Sequence, residues 1–117
     1  MQNKNKNKNT KRLRLKKRIR VKIKGTKERP RLSVFRSNKF IYAQVIDDIL
    51  GKTLAQANDV KIKKGTKTER AKEVGQMIAD VCSKIKIDKV VFDRNGFKYT
   101  GRIKLVADGA RAKGLNF

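Results

Sequence analysis

Residues 31 to 58 read RLSVFRSNKFIYAQVIDDILGKTLAQAN, and this stretch decides the architecture. Arg31 to Arg36 and Phe40 to Asp47 are rich in β-branched and aromatic residues, and Ser37-Asn38-Lys39 between them has the length of a hairpin connection. Side chains alternate along a strand, so Ile41, Ala43 and Val45 share one side while Tyr42, Gln44 and Ile46 share the other. One face is apolar and the opposite face is mixed. Lys52 to Asn58, after the turn residues Asp47-Asp48-Ile49-Leu50-Gly51, reads as a third, weaker strand because Ala55 and Ala57 are poor strand formers.

Downstream, the lysine-rich loop Asp59 to Gly65 leads into Thr66 and Glu69, spaced as a capping box. The helix it opens runs to about Ile85, with Ala71, Val74, Gly75, Ile78, Cys82 and Ile85 as its apolar stripe. Lys89 to Asp93 is a short buried strand through Val90, Val91 and Phe92, followed by a loop, Arg94 to Tyr99, around Asn95-Gly96. Thr100 is placed to cap a last helix with Ile103, Val106, Ala107 and Ala110 inward, and Gly114-Leu115 reads as a Schellman ending. Gly109 inside that helix costs about 1 kcal/mol relative to alanine. The order β-β-β-α-β-α requires a helical crossover between strands three and four. The expected fold is α/β: a small mixed four-stranded sheet with two helices, at least one face covered, preceded by a basic N-terminal arm.

Met1 to Arg31 holds fifteen Lys or Arg and one acid, Glu28, a surplus of 14 within a chain whose formal net charge is +23. Gln2 to Thr10 alternates Asn and Lys and can bury nothing, so disorder is expected there in the free protein. Two periods compete from Lys11 to Lys24. Leu15, Ile19 and Ile23 would form a helical stripe, whereas Ile19, Val21 and Ile23 alternate with Arg20 and Lys22 as in a strand. Gly25 just after the run suits a helix end, and a helix that orders mainly on an anion is the expectation. Lys27 to Pro30 is then a linker, dividing the chain into an arm, residues 1–30, and a single domain, residues 31–117.

The chain has 117 residues, enough for one compact domain and a tail, and no apolar run near the ~20 residues of a bilayer span. The N-terminal charges are not followed by a secretory-type hydrophobic segment, and the arm lacks the serine of a transit peptide. A single cysteine, Cys82, permits no internal disulfide. With no histidine, and with Cys82 on a buried helix face, neither a nucleophile–base pair nor a zinc site is expected. Asp47, Asp48, Asp93 and Asp108 are the acids a metal-dependent nuclease would use. The plainer reading has Asp47-Asp48 in a turn and Asp108 ion-paired with Lys104 or Arg111. No cofactor, metal, membrane or small-molecule substrate is implied. An arm without Trp or Phe opposite its charges is built for nucleic acid rather than a membrane surface.

Arg94, Lys98, Arg102 and Lys104, interleaved with Phe97 and Tyr99 ahead of a helix N-terminus, combine cations for phosphates with rings for unpaired bases. A solvated loop with one ring tucked into the core is the alternative. Arg36 and Lys39 flank the hairpin turn and extend the same surface, while Lys61, Lys63, Lys64 and Lys67 suit a solvated loop.

At Glu28 to Asp48 (ERPRLSVFRSNKFIYAQVIDD) and at Val90 to Phe117 (VVFDRNGFKYTGRIKLVADGARAKGLNF) the chain closely resembles the bacterial-type large-subunit ribosomal protein eighteen family. The resemblance runs through nearly the whole chain. It implies a domain related in topology to small-subunit ribosomal protein eleven, with an arm that becomes helical on RNA. It also implies binding to 5S rRNA, attachment of that RNA to 23S rRNA in the central protuberance, and large-subunit ribosomal protein five as a neighbour. The location implied is the ribosome, in the bacterial cytoplasm or the plastid stroma. The RNA-facing positions it implies in the arm are Lys11, Arg12, Arg14, Lys16, Lys17, Arg18, Arg20, Lys22, Lys24, Arg29 and Arg31. In the domain they are Arg36, Ser37, Asn38, Lys39, Arg94, Asn95, Phe97, Lys98, Tyr99, Thr100 and Arg102. The family often has histidine where this chain has Phe40 and Thr100. Contacts by the arm go mainly to phosphates, which carry affinity but no base identity. Replacing Lys16, Lys17 and Arg18 together with Gln should therefore weaken binding to all RNAs alike and flatten the salt dependence, measured by titration at several ionic strengths.

Overall fold

The computed structural model describes residues 4–117, with side chains from Thr10 onward except those of Val21 and Lys22. Gln2 and Asn3 of the Asn/Lys stretch, and the assignment of the Lys22 side chain to RNA, lie outside the described residues. In chain order the elements are α1 (Lys4–Lys22), β1 (Arg31–Arg36), β2 (Ile41–Asp47), β3 (Lys52–Asn58), α2 (Lys67–Lys84), β4 (Val91–Asp93) and α3 (Gly101–Ala112).

The strands form one mixed sheet in the order β3-β2-β1-β4. β1 runs antiparallel to β2 and parallel to β4, and β2 runs antiparallel to β3. The crossover carrying α2 therefore spans the whole sheet, from one edge strand to the other. The β1–β2 register opposes Leu32 to Val45 and Val34 to Ala43, all at or near zero exposure, as the alternating pattern requires. Ser37 closes the turn twice: its N–H donates to Phe40 O (2.8 Å), and its Oγ accepts from Phe40 N (3.1 Å). Phe40 thus belongs to the turn, and β2 begins one residue later than its β-rich composition suggests. Asp47 Oδ1 accepts from Ile49 N and Leu50 N, holding the second turn. A bulge between Val45 and Ile46 falls where Leu54 adds an extra residue to β3.

Helices α2 and α3 cover one face. Leu32, Val34, Ile41 and Val45 from the sheet meet Val74, Ile78 and Cys82 from α2 and Ile103, Val106 and Ala110 from α3. Each helix is closed by local chemistry. Glu69 N donates to Thr66 Oγ1 (3.2 Å) and Thr66 N donates to Glu69 Oε2 (3.3 Å), completing the capping box. At the end of α3, Leu115 N donates to Ala110 O and Gly114 N to Arg111 O, with Gly114 at φ 102°, the Schellman pattern that buries Leu115.

Several local readings change. Ile85 is 45 % exposed because α2 stops at Lys84 and Lys86, at φ 63°, turns the chain away before the stripe completes another turn. β4 is shorter than Lys89–Asp93: Val90 is buried, but Lys89 makes only an isolated bridge to Asn116. Thr100 has the extended backbone of an N-cap (φ −146°, ψ 168°) but makes no side-chain cap bond. Gly25 is not a left-handed helix end. It is buried where a Cβ would stand 2.5 Å from both Arg31 N and Ile46 O, so it exists to let the linker lie on the hairpin.

Gly109 changes meaning as well. A Cβ there would fall 2.4 Å from Lys72 O, and one at Gly75 would fall 2.1 Å from Val106 O, so each helix lends a glycine to a close backbone approach. Propensity favours alanine by about 1 kcal/mol, whereas overpacking typically costs about 1–3 kcal/mol. Sterics should win because the obstructing atoms are backbone. Gly75→Ala and Gly109→Ala should each lower stability in urea titrations, by about 1–3 kcal/mol; a gain in stability would refute the close-packing account.

Candidate nucleic-acid interface

The site is assembled around Arg31, at the start of β1. Its Nε and Nη2 donate to Asp48 Oδ2 (3.0 Å) and Oδ1 (3.1 Å), a bidentate fork, and its Nη1 donates to Asp93 Oδ2 (2.8 Å). Arg31 is 5 % exposed and Asp93 is fully buried. Each acid also organises backbone. Asp48 Oδ2 accepts from Gly25 N (2.7 Å), while Asp48 N donates to Gly25 O (3.1 Å), so the chain leaving α1 is clipped to the hairpin. Asp93 Oδ1 accepts from Asn95 N (2.8 Å), which sets the turn where Asn95 and Gly96 take positive φ (57° and 79°). Burial by itself would lower the Arg31 pKa, but the hydrogen bonds and charges of Asp48 and Asp93 raise it overall. The hydrogen bond from Arg31 holds the Asp48 carboxyl below its ordinary value, against burial and with help from Gly25 N–H and the Arg20 charge. Arg31 is consequently a strut rather than an RNA ligand, since two carboxylates occupy its guanidinium. The same pairing commits Asp48 and Asp93 to Arg31, and no group of three or more His, Cys, Asp or Glu fit to hold a metal occurs among the described residues. Burial lifts the Cys82 thiol to about 11, as expected of a core residue.

On the sheet face away from α2 and α3, Phe35 and Tyr42 sit opposite one another in register, with ring centroids 6.3 Å apart. Phe97 from the β4–α3 loop meets Phe35 edge-on at 5.6 Å. The Arg12 guanidinium lies 4.8 Å from the Phe97 centroid and 5.8 Å from that of Phe35, and its Nη1 donates to Asn95 O (3.1 Å). The Arg36 guanidinium lies 5.4 Å from the Phe97 centroid. Gly96 is required twice over: it has positive φ, and a Cβ would stand 2.5 Å from Arg12 O. Arm, hairpin and loop thus converge on one aromatic cluster.

Around the cluster, Asn38, Lys39, Lys98 and Thr100 are exposed. Ser37, Arg94 and Arg102 are half-buried, with Arg94 Nη1 donating to Phe97 O (3.3 Å) and Arg102 Nη2 to Ser37 O (3.0 Å). Asn95 is buried and serves through its backbone. In the arm Lys11, Arg14, Lys17, Arg18, Arg20, Lys24 and Arg29 are exposed and Lys16 is half-buried. Arg20 reaches Asp48 at 3.5 Å.

Tyr99 does not join Phe97. Its ring packs edge-on to Phe92 (5.6 Å), Phe92 stacks on Phe117, and Arg111 Nη1 donates to the Tyr99 hydroxyl (3.0 Å). The loop sends its two rings to different places, so Tyr99 anchors the C-terminus instead of extending the cation-lined surface. Phe35 and Tyr42 were not among the residues assigned to RNA from sequence. Strand alternation across the hairpin was the signal that pairs them on the mixed face.

The ribosomal L18 family of archaea, bacteria, mitochondria and chloroplasts matches residues 6–117. The chain belongs to the ribosomal L18 family. It is accordingly among the structural proteins of the large ribosomal subunit, a family that is not enzymatic. It is 57 % identical over 100 residues to the large ribosomal subunit protein uL18 of Sorangium cellulosum, covering 80 % of this chain and 84 % of that relative. The family match includes most of α1, so the basic arm is part of the L18 pattern and not an appendage to it. No helix among the described residues is long and apolar enough to cross a membrane.

Because Asp48's folded pKa is depressed, the stability it contributes is fully present above the ordinary aspartate pKa. It is lost as pH falls through the lower folded value. Asp48→Asn should cost about 3–5 kcal/mol at pH 7 by leaving Arg31 underpaired, and the acid limb of its stability curve should be flatter than that of the parent. Urea titrations at neutral and acid pH measure both effects.

Proposed function

We propose that this L18-family chain binds 5S rRNA and mediates its attachment to 23S rRNA in the central protuberance, with large-subunit ribosomal protein five as a neighbour. The observation that carries the reading is the convergence of Arg12, Arg36 and Phe97 on one cluster beside the exposed Phe35, because it joins the arm to the folded domain at a surface suited to RNA. Cations alone would hold any polyanion, whereas rings set among cations favour unpaired bases over regular duplex. The division of labour follows. The arm supplies phosphate contacts and most of the salt-dependent affinity, and the hairpin turn with Arg94 to Arg102 decides which RNA is held.

α1 contains no acidic residue, so nothing along it offsets the repulsion among its Lys and Arg. The arm, residues 1–30, is accordingly unstructured in the free protein as far as Lys22 and helical there on RNA, while Gly25 to Pro30 stay clipped to the single domain, residues 31–117. The working location is the ribosome, in the bacterial cytoplasm or the plastid stroma.

A direct test compares 5S rRNA with a scrambled RNA of the same length. The full chain should prefer 5S rRNA, deletion of residues 1 to 24 should weaken both strongly, and Arg94→Gln with Arg102→Gln should erase the preference more than the affinity. Equal binding of both RNAs by the parent protein would overturn the specific assignment. Full discrimination by residues 1–31 grafted on an inert carrier would instead favour a general nucleic-acid chaperone acting through the arm.

A further inference from the structure

We propose that the cleft between the β1–β2 turn and the start of α3 is a dedicated seat for a single phosphate group, supplied by the RNA backbone. The cleft, about 190 Å³, is lined by Arg36, Ser37, Asn38, Phe97 and Arg102. Behind it, Arg70 faces the buried Asp59 at 3.7 Å, and Lys67 Nζ donates to Asn38 O (2.6 Å). Asp59 is partly committed, since its Oδ1 accepts from Ile41 N (2.8 Å).

Two facts make this more than another basic patch. Arg102 Nη1, on a residue lining the cleft, is a buried side-chain N–H without a hydrogen-bond partner; Arg70 Nε behind it also lacks one but already faces the Asp59 carboxylate at 3.7 Å. A desolvated guanidinium N–H without an acceptor is unfavourable, and an anion is the group that removes the penalty. Charge makes the same demand: Arg36 and Arg102 line the cleft, and the Asp59 carboxylate behind it is paired with Arg70. Burial, then the charges of Arg36 and Arg70, press the Arg102 pKa down despite Asp59. The uncapped first turn of α3, beginning at Gly101, adds backbone N–H groups at the same end. A phosphate fits the two lining forks, Arg36 and Arg102, better than a base does, while the aromatic cluster beyond Phe97 remains for bases.

The anion seat stands on this geometry alone; its occupancy by RNA rests on the proposed function. The test uses the full chain and inorganic phosphate, followed by NMR against chloride at equal ionic strength. Amides of Ser37 and Asn38 and the Arg102 Nε should shift saturably, and Arg36→Gln, a change at an exposed side chain, should weaken the effect about tenfold. Shifts at Ser37, Asn38 and Arg102 no larger than those of arm lysines would overturn the seat. With 5S rRNA, Arg36→Gln should reduce the salt slope by about 0.7–0.9, the share of one phosphate. An unchanged slope would overturn the phosphate assignment even if RNA binding persists. Saturable phosphate binding in a protein that does not prefer 5S rRNA would keep the seat and reject the proposed function.

Discussion

Arg31 sits between Asp48 and Asp93 at the point where three segments of chain meet, and most of what surrounds it depends on those three hydrogen bonds. One carboxylate comes from the β2–β3 turn and also grips Gly25; the other closes β4 and also shapes the Asn95 turn. A buried ion pair of this kind adds little over a well-packed apolar replacement, but removing one member leaves a charge stranded in low dielectric. Its effect here is geometric. It sets where the arm joins the sheet and where the β4–α3 loop projects, and those two placements bring Arg12 to Phe97.

The helical side of the sheet answers to a different constraint. Ala43, Ala55 and Ala57 make the sheet surface shallow, and Gly75 with Gly109 let α2 and α3 lie backbone against backbone. Both helices therefore fit on one face, and the opposite face keeps Phe35 and Tyr42 uncovered by either of them. The small residues that look like weak points along each element leave the second face free for binding.

Charge and architecture then divide the work. The arm's surplus of 13 positive charges over residues 1–30 accounts for attraction to RNA at any sequence, and α1 contains no acid to temper it. The turn at Ser37, the loop at Phe97 and the first turn of α3 add groups held in fixed relation, and on the proposed function it is these that select the RNA. The match over residues 6–117 joins both parts in one family pattern.

Period-2 alternation in β2, the Thr66–Glu69 capping box and the Gly114-Leu115 ending were legible from residue order because each depends on neighbours within a few positions. The absence of histidine and the place of Cys82 on an apolar helix stripe argued against catalysis from residue order, and the structure buries Cys82 as that stripe implies. The parts that misled are those whose meaning lies in another segment. Arg31 read as one more cation of a basic arm until Asp48 and Asp93 closed on it, and Gly109 read as a propensity defect until Lys72 of the neighbouring helix stood against it. Tyr99 and Phe97 stand two residues apart, yet the loop directs them to separate ring clusters. Composition and local pattern determined the elements, the attraction to a polyanion and the class of fold, because those follow from propensity and summed charge. Which cations remain free for RNA, and which are locked inside, was decided only when distant acids and rings were brought within hydrogen-bond and stacking range.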